Sequence, residues 1–169
     1  NGNVTTTRNQ IYQSKVTLGN SVADVTFTAN NKGTISFNEG LDDGASGATN
    51  VTINTDAFTN LTRVGTTTAL KSLTVGGGSR VNLNGNLIKT TGNQTYDDEA
   101  AIGSNVTLES TENGNITFNN TLYETGTPGN NNVTIITGGT TTFANTVGVQ
   151  NNGALGSLTT EGNGTVHFT

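Results

Sequence analysis

The chain is built from two consecutive copies of one unit. Asn9–Tyr12 recurs as Asn93–Tyr96, and Ala69–Thr74 recurs as Ala154–Thr159. Three further pairs of segments follow the same order: 34–38 with 115–119, 50–53 with 132–135, and 81–83 with 166–168. Offsets of about 81 to 85 residues define a unit of roughly 84 residues, a period typical of architectures in which each repeat packs only on its neighbours. We assign residues 1–89 to the first unit and 90–169 to the second, in one continuous rod.

Short runs of alternating apolar and polar residues fill both units, as in Val25-Thr26-Phe27 and Ile116-Thr117-Phe118. Such a period of two is typical of half-buried strands, and the Gly and Asn clusters between the runs favour turns. Residues 57–73 are ambiguous, but Thr66-Thr67-Thr68 favours strand there. We therefore predict an all-β chain whose alternating apolar residues share one elongated core: Val25, Phe27, Ile35, Phe37, Val51, Ile53, Leu73, Val75, Val81, Leu83, Val106, Leu108, Ile116, Phe118, Val133, Ile135, Leu158, Val166 and Phe168.

The tandem unit favours a β-solenoid over two separate β-sandwiches, because each half has few aromatic residues for a two-sheet core. A unit of this length supplies about four coils of roughly 20 residues, and so about eight coils in all, stacked ~4.8 Å apart. Asn residues in successive turns are expected to form hydrogen-bonded ladders. Superposition of the two units is expected to bring Tyr12 onto Tyr96 and Leu73 onto Leu158 by a translation with a small rotation.

The charge distribution argues against several functions. The net charge is −5, and the 7 Lys and Arg residues are scattered singly, so we expect no nucleic-acid binding. No apolar run approaches the ~20 residues of a membrane span, and we expect no membrane insertion by this segment. The sequence opens with neither Met nor a signal peptide, which suggests a fragment of a longer protein. Because the chain has no cysteine, disulfides and thiolate metal sites are excluded.

The residue types that usually carry chemistry are sparse. His167 lies in an alternating strand and is expected to face solvent. Acidic residues occur together at Asp42-Asp43 and at Asp97-Asp98-Glu99, and the second group is interpreted as a solvated turn, with a weak Ca²⁺ site as the alternative. Gly76-Gly77-Gly78 is followed by no Gly-Lys-Ser/Thr and is no phosphate loop. We predict no catalytic, cofactor-binding or metal-binding residues, no cofactor, and no enzymatic activity.

Asn-x-Ser/Thr triplets are frequent, as composition alone would produce. Stacked coils would leave little room for glycans at strand positions such as Asn50 and Asn132. The triplets begin at Asn3, Asn50, Asn60, Asn93, Asn105, Asn115, Asn119, Asn132 and Asn163.

The repeated segments resemble the repeats of large bacterial exoproteins. Thr90–Tyr96, Gly103–Leu108 and Gly138–Phe143 carry the likeness, which extends over nearly the whole chain. They are similar to the filamentous-haemagglutinin-like and autotransporter-passenger group. The resemblance implies a right-handed parallel β-helix, export across the outer membrane, and a stalk or adhesin at the cell surface.

We therefore expect a secreted or cell-surface structural segment that acts as a rigid stalk or adhesive surface. Its expected partners are neighbouring repeats or copies of itself stacked end to end, with host or matrix glycans as further candidates. One alternative is a subunit of a self-assembling extracellular fibre or sheath, since open strand edges template addition. The other is an ice- or glycan-binding solenoid, although Asn, Ser and His interrupt the outward-facing threonines in the sequence.

Overall fold

The computed structural model describes residues 2–20, 22–149 and 153–169. Within these ranges every regular element is a β-strand, and all the strand pairings are parallel. The strands are β1 (Val4–Thr6), β2 (Gln10–Tyr12), β3 (Val16–Thr17), β4 (Asp24–Ala29), β5 (Ile35–Phe37), β6 (Leu41–Asp42), β7 (Asn50–Thr55), β8 (Phe58–Val64), β9 (Ser72–Gly76), β10 (Arg80–Thr90), β11 (Gln94–Tyr96), β12 (Glu99–Ile102), β13 (Val106–Ser110), β14 (Ile116–Phe118), β15 (Leu122–Glu124), β16 (Asn132–Ile136), β17 (Thr140–Phe143), β18 (Ser157–Glu161) and β19 (Thr165–Phe168).

The strands stack into three rows that wind around one axis as a β-solenoid, which confirms the predicted fold class. Row A is an eight-stranded sheet in the order β1-β4-β7-β9-β11-β14-β17-β19. The other sheet has two branches. Row B contains β2, β5, the first half of β8, the first half of β10, β12 and β15. Row C contains β3, β6, the second halves of β8 and β10, β13, β16 and β18.

The solenoid has about seven turns, close to the eight predicted. Eight strands of row A define seven steps, and at ~4.8 Å a step the rod is about 34 Å long. The coils are longer than the predicted 20 residues: Thr74 pairs with Thr95, and Thr26 pairs with Thr52. Fewer turns therefore fit into the chain.

One apolar core runs along the axis and contains most of the predicted residues. Leu158 is only half-buried, while Val166 and Phe168 are 37% and 67% exposed. All three lie in β18 and β19, the last strands of their rows, which have a neighbouring strand on one side only. The predicted core is thus confirmed for the residues of the earlier strands. It is wrong for these three residues of β18 and β19.

Aromatic rings form a column inside row A. The ring centroids of Tyr96 and Phe118 are 5.0 Å apart, those of Phe118 and Phe143 are 5.3 Å apart, and those of Phe143 and Phe168 are 5.0 Å apart. Each pair is stacked nearly parallel, as expected when in-register parallel strands carry the same side chain at the same position.

The repeated unit does not return to the same row, so the predicted small rotation is wrong. Tyr12 pairs with Phe37 in row B, whereas Tyr96 pairs with Phe118 in row A. Leu73 lies in row A, whereas Leu158 lies in row C. A unit of about 84 residues covers roughly three and two-thirds coils, so each repeat is rotated by one row relative to the preceding repeat.

Gly85 forms the corner at which β10 passes from row B to row C. The pairing of β10 with β8 shifts register between Leu83 and Leu87. A Cβ atom on Gly85 would lie 0.8 Å from the carbonyl oxygen of Thr62, so no other residue fits this backbone approach.

Candidate binding surface

A column of six threonines lines the outward face of row A. The strand register places each threonine directly over the preceding one, and His167 continues the column in the last strand. The column contains Thr26, Thr52, Thr74, Thr95, Thr117 and Thr142. All six are half-buried, and within the described part of the chain their hydroxyls have no hydrogen-bond partner. The result is a regular line of hydroxyl and methyl groups, ~4.8 Å apart, on a rigid parallel sheet.

Six threonines run along this column without interruption, which corrects the expectation from the sequence for Asn and Ser, whereas His167 does end the run in β19. Asn and Ser lie in the flanking column, where Asn50 donates to the Asp24 carboxylate at 2.9 Å and accepts from the Ser72 hydroxyl at 2.8 Å. The sequence could not assign these residues to separate columns, because the pairing register depends on the lengths of the intervening turns.

Hydrogen-bonded polar ladders occur as predicted. On row B, Asn60 donates to Ser36 at 2.8 Å and Asn82 donates to Asn60 at 2.6 Å. A second use of Asn was not predicted: the Oδ1 atoms of Asn93 and Asn115 each accept a backbone N–H from the next coil, at 2.8 Å. Because both residues immediately precede a strand, their side chains link successive coils where strand pairing begins.

The Asp97-Asp98-Glu99 group does not form a single site. The Asp97 carboxylate accepts from Asn119, and that of Asp98 accepts from the backbone N–H of Gly78 at 3.2 Å. Only Asp97 fits the predicted solvated turn, since Asp98 is 7% exposed. Burial raises the pKa of Asp98 above its ordinary value, the neighbouring Asp97 charge adds to this, and the Gly78 bond opposes it.

Two buried carboxylates organise matching loops. The Asp43 carboxylate accepts hydrogen bonds from the backbone N–H groups of Gly44, Ala48 and Thr49. In the second unit, Glu124 accepts from the backbone N–H groups of Asn130 and Asn131 at 3.1 Å. This role of the two carboxylates was not predicted from the sequence. The signal was present, because Asp43 and Glu124 occupy equivalent positions in the two units.

Asp42 is buried beside a cation. Lys15 Nζ lies 2.8 Å from its Oδ2 atom, and the Thr67 backbone N–H donates to Oδ1 at 3.3 Å. Burial alone would raise the pKa of Asp42, but Lys15 and Thr67 outweigh it and hold the pKa below its ordinary value. This pair fixes the start of row C and is a structural contact.

The remaining candidate positions are structural or exposed. His167 faces solvent from β19, as predicted. Gly78 of the glycine cluster holds Asp98 through its N–H group. The Asn50 side chain is hydrogen-bonded on both sides, as described above, whereas Asn132 is exposed. That glycans are absent from these triplets stays a prediction.

Comparisons with known proteins give no relative from which a function could be proposed. No family model, curated protein or solved structure matches the chain. Across the described ranges there is no helix that is long and apolar enough to cross a membrane. In the same ranges, no three histidine, aspartate or glutamate side chains are grouped so as to hold a metal ion.

Proposed function

We propose that this chain is a rigid, non-enzymatic segment of an extracellular bacterial surface protein, acting as a stalk that carries binding surfaces away from the cell. The observation that supports it best is the uninterrupted stack of row A, whose eight strands run from Val4 to Phe168 over one continuous core. Because every inner coil packs on both of its neighbours, bending the rod would require breaking strand pairing and core contacts together.

The extracellular location rests on the sequence. The repeats resemble those of exported bacterial proteins, and the absence of cysteine and methionine suits an oxidising environment. Antibodies raised against the chain should label intact, unpermeabilised cells of the source bacterium. External protease should remove that signal while a cytoplasmic protein stays intact. Labelling that requires permeabilised cells would contradict the location.

The stalk proposal has a direct mechanical test. Fluorophores at cysteines replacing Thr5 and His167, exposed residues in the first and last strands of row A, should report a single separation of about 34 Å. That separation should stay narrow up to the unfolding transition. A broad distance distribution under native conditions would contradict a rigid spacer.

A second candidate function is supported by the threonine column of row A. Free hydroxyl and methyl groups at a fixed spacing could bind an ordered surface, either ice or a repeating glycan. Thr74→Lys and Thr95→Lys should abolish ice-growth inhibition or glycan retention if the column binds either ligand. Thr134→Lys, a half-buried position on row C, is the matched control. Wild-type chain that is inactive in both assays would exclude this candidate.

A further inference from the structure

Phe58 is an exposed aromatic side chain on the outward face of row B. Its strand, β8, pairs with β5 on one side and with β10 on the other, yet Phe58 is 40% exposed. Among the described residues, the other exposed large apolar side chains lie in the first or last strand of a row or in a loop. The exposure of Phe58 is therefore not caused by the lack of a neighbouring strand.

The guanidinium of Arg80 stacks on one face of the Phe58 ring. Arg80 pairs with Phe58 from the next coil, and its Cζ atom lies 4.8 Å from the ring centroid. Its Nε atom is buried and has no hydrogen-bond partner in the described part of the chain, and none is present for the terminal nitrogens either. Stacking on Phe58 thus holds Arg80, and the terminal N–H groups have no protein acceptor.

A second polar group without a partner lies beside this pair. The hydrogen-bonded ladder of row B runs from Ser36 through Asn60 to Asn82. It stops there because the next residue in register is Ala101, whose methyl group cannot donate. Asn82 donates to Asn60, but its own Oδ1 atom accepts from no described residue. Since Asn82 is two residues after Arg80 in β10, the two side chains lie on the same face of the sheet.

The charges around the ring favour a neutral ligand. Glu99 pairs with Arg80 from the coil on the side away from Phe58, so a carboxylate follows the guanidinium one coil further along the rod. The net charge of the chain is −5. An acidic polymer would be attracted by Arg80 but repelled by Glu99 and by the chain as a whole. Hydroxyl groups can accept from the guanidinium and donate to the Asn82 carbonyl oxygen without this repulsion.

The apolar area of the face suits a sugar ring better than a protein. Asn60 and Asn82 are polar, and the pairing of Ile35 with Thr59, continued by one residue, places the small Thr34 next to Phe58. A single exposed ring falls far short of the apolar core of a protein interface, which buries ~800 Å² on each partner. A hexopyranose needs only one ring, because the C–H groups of one sugar face pack on an aromatic face while its hydroxyls remain at the rim.

We propose that Phe58, Arg80 and Asn82 bind two adjacent hexose units of a neutral polysaccharide that runs along the rod. One hexose stacks on the Phe58 ring face that is turned towards Thr34. The adjoining hexose lies over Arg80 and Asn82, whose free N–H and carbonyl groups hydrogen-bond to its hydroxyls. This site adds a binding function to the proposed stalk and can fail without affecting it.

A tryptophan at position 58 reports this contact directly, because the chain has no tryptophan of its own. The Phe58→Trp variant is titrated with cellohexaose, mannohexaose and chitohexaose, and its emission spectrum is recorded. At least one hexaose should give a saturable shift, since the sugar covers the indole. Glucose should need at least about a tenfold higher concentration than the hexaose, because a single unit cannot reach both the ring and Arg80.

Variants that lack one contact locate the site. Phe58→Ala and Arg80→Ala should each weaken binding of the same hexaose at least about tenfold by titration calorimetry, whereas Phe58→Tyr keeps the ring and should bind. Arg63→Ala is the matched control. It removes an exposed arginine of the same strand that pairs with Glu39 at 3.4 Å, on row C, and it should bind like wild type. Circular dichroism verifies that each variant keeps the β-fold.

Each outcome decides the proposal. Binding that is lost in Phe58→Ala and Arg80→Ala but kept in Phe58→Tyr and Arg63→Ala supports the site. Equal binding by all variants places the sugar elsewhere, such as on the threonine column, and overturns it. No binding of any of the three hexaoses also overturns it, and tighter binding of hexagalacturonate overturns the neutral ligand. The stalk proposal is tested separately, by cell labelling and by the end-to-end distance.

Discussion

Tyr12 and Tyr96 make the same hydrogen bond from two different sheets. The Tyr12 hydroxyl donates to Oε1 of Gln10 at 3.0 Å, and the Tyr96 hydroxyl donates to Oε1 of Gln94 at 2.9 Å. Each glutamine also donates to a backbone carbonyl six residues earlier and to one in the next coil. The local corner sequence thus specifies this network regardless of the row in which the corner lies.

Gln94→Ala should destabilise the protein strongly. Gln94 is fully buried, and its loss leaves the Tyr96 hydroxyl and the carbonyls of Ile88 and Glu109 without their partner. At ~1–3 kcal/mol for each buried unsatisfied group, we expect a loss of about 3 kcal/mol or more in the free energy of unfolding. Urea denaturation measures it. Gln10→Ala is the matched control and should cost less, because Tyr12 is only half-buried in the first coil. Equal losses would contradict this explanation.

Thr59→Val should stabilise the protein. Thr59 is fully buried in row B, between Ile35 and Val81, and its hydroxyl has no hydrogen-bond partner in the described part of the chain. The isosteric valine removes a buried polar group that has no hydrogen bond, and this should raise the free energy of unfolding by about 1 kcal/mol. Thermal unfolding should show a raised Tm.

Thr55→Val is the opposite case. The Thr55 hydroxyl donates to the Gly33 carbonyl and accepts from the Ala57 N–H. This variant should lose stability by ~1–3 kcal/mol. If Thr59→Val and Thr55→Val shift Tm in the same direction, the hydrogen bonding of the threonine hydroxyl does not determine how the substitution changes stability.

The sequence predicts the inside and outside of the strands well, but not the row in which each strand lies. Alternation in segments such as Val25–Phe27 depends only on neighbouring residues and on the period of two. Row assignment depends on how many residues each coil uses. Since the offset is 21 from Thr74 to Thr95 and 26 from Thr26 to Thr52, the threonine column could not be found without the structure.

The sequence also does not show which threonines face the core. Thr59 and Thr141 are buried at positions that other coils fill with Ile or Val. In a Thr-rich strand such as Thr140–Phe143, composition does not indicate which threonine faces the core. Only the pairing of Thr141 with Ile116 assigns it.

Gly85→Ala should be among the most damaging single substitutions. The added Cβ would overlap the carbonyl oxygen of Thr62, a backbone atom that can move only if β8 moves as well. We expect a loss of more than about 3 kcal/mol in the free energy of unfolding, or failure to fold. Gly2→Ala is the control, because its Cβ would meet only Val25 Cγ2 at 3.9 Å. Wild-type stability of Gly85→Ala would show that the corner can relax.

Asp42 and Asp98 should affect stability in opposite directions with pH. The folded-state pKa of Asp42 is lowered, so its stabilisation is present above the ordinary value of 3.8 and is lost as pH falls through the folded value. The folded-state pKa of Asp98 is raised, so its charge destabilises the fold at neutral pH, and stability returns as pH falls through that raised value.

Thermal unfolding of Asp42→Asn and Asp98→Asn tests this pair of effects. At pH 7, Asp42→Asn should lower the free energy of unfolding by about 1–2 kcal/mol, because the Lys15 interaction weakens. Asp98→Asn should raise it, since its amide oxygen still accepts from Gly78. The difference for Asp98→Asn should shrink as pH falls to the ordinary value of 3.8, whereas that for Asp42→Asn should shrink only below it. A pH-independent difference would show that charge is not the cause.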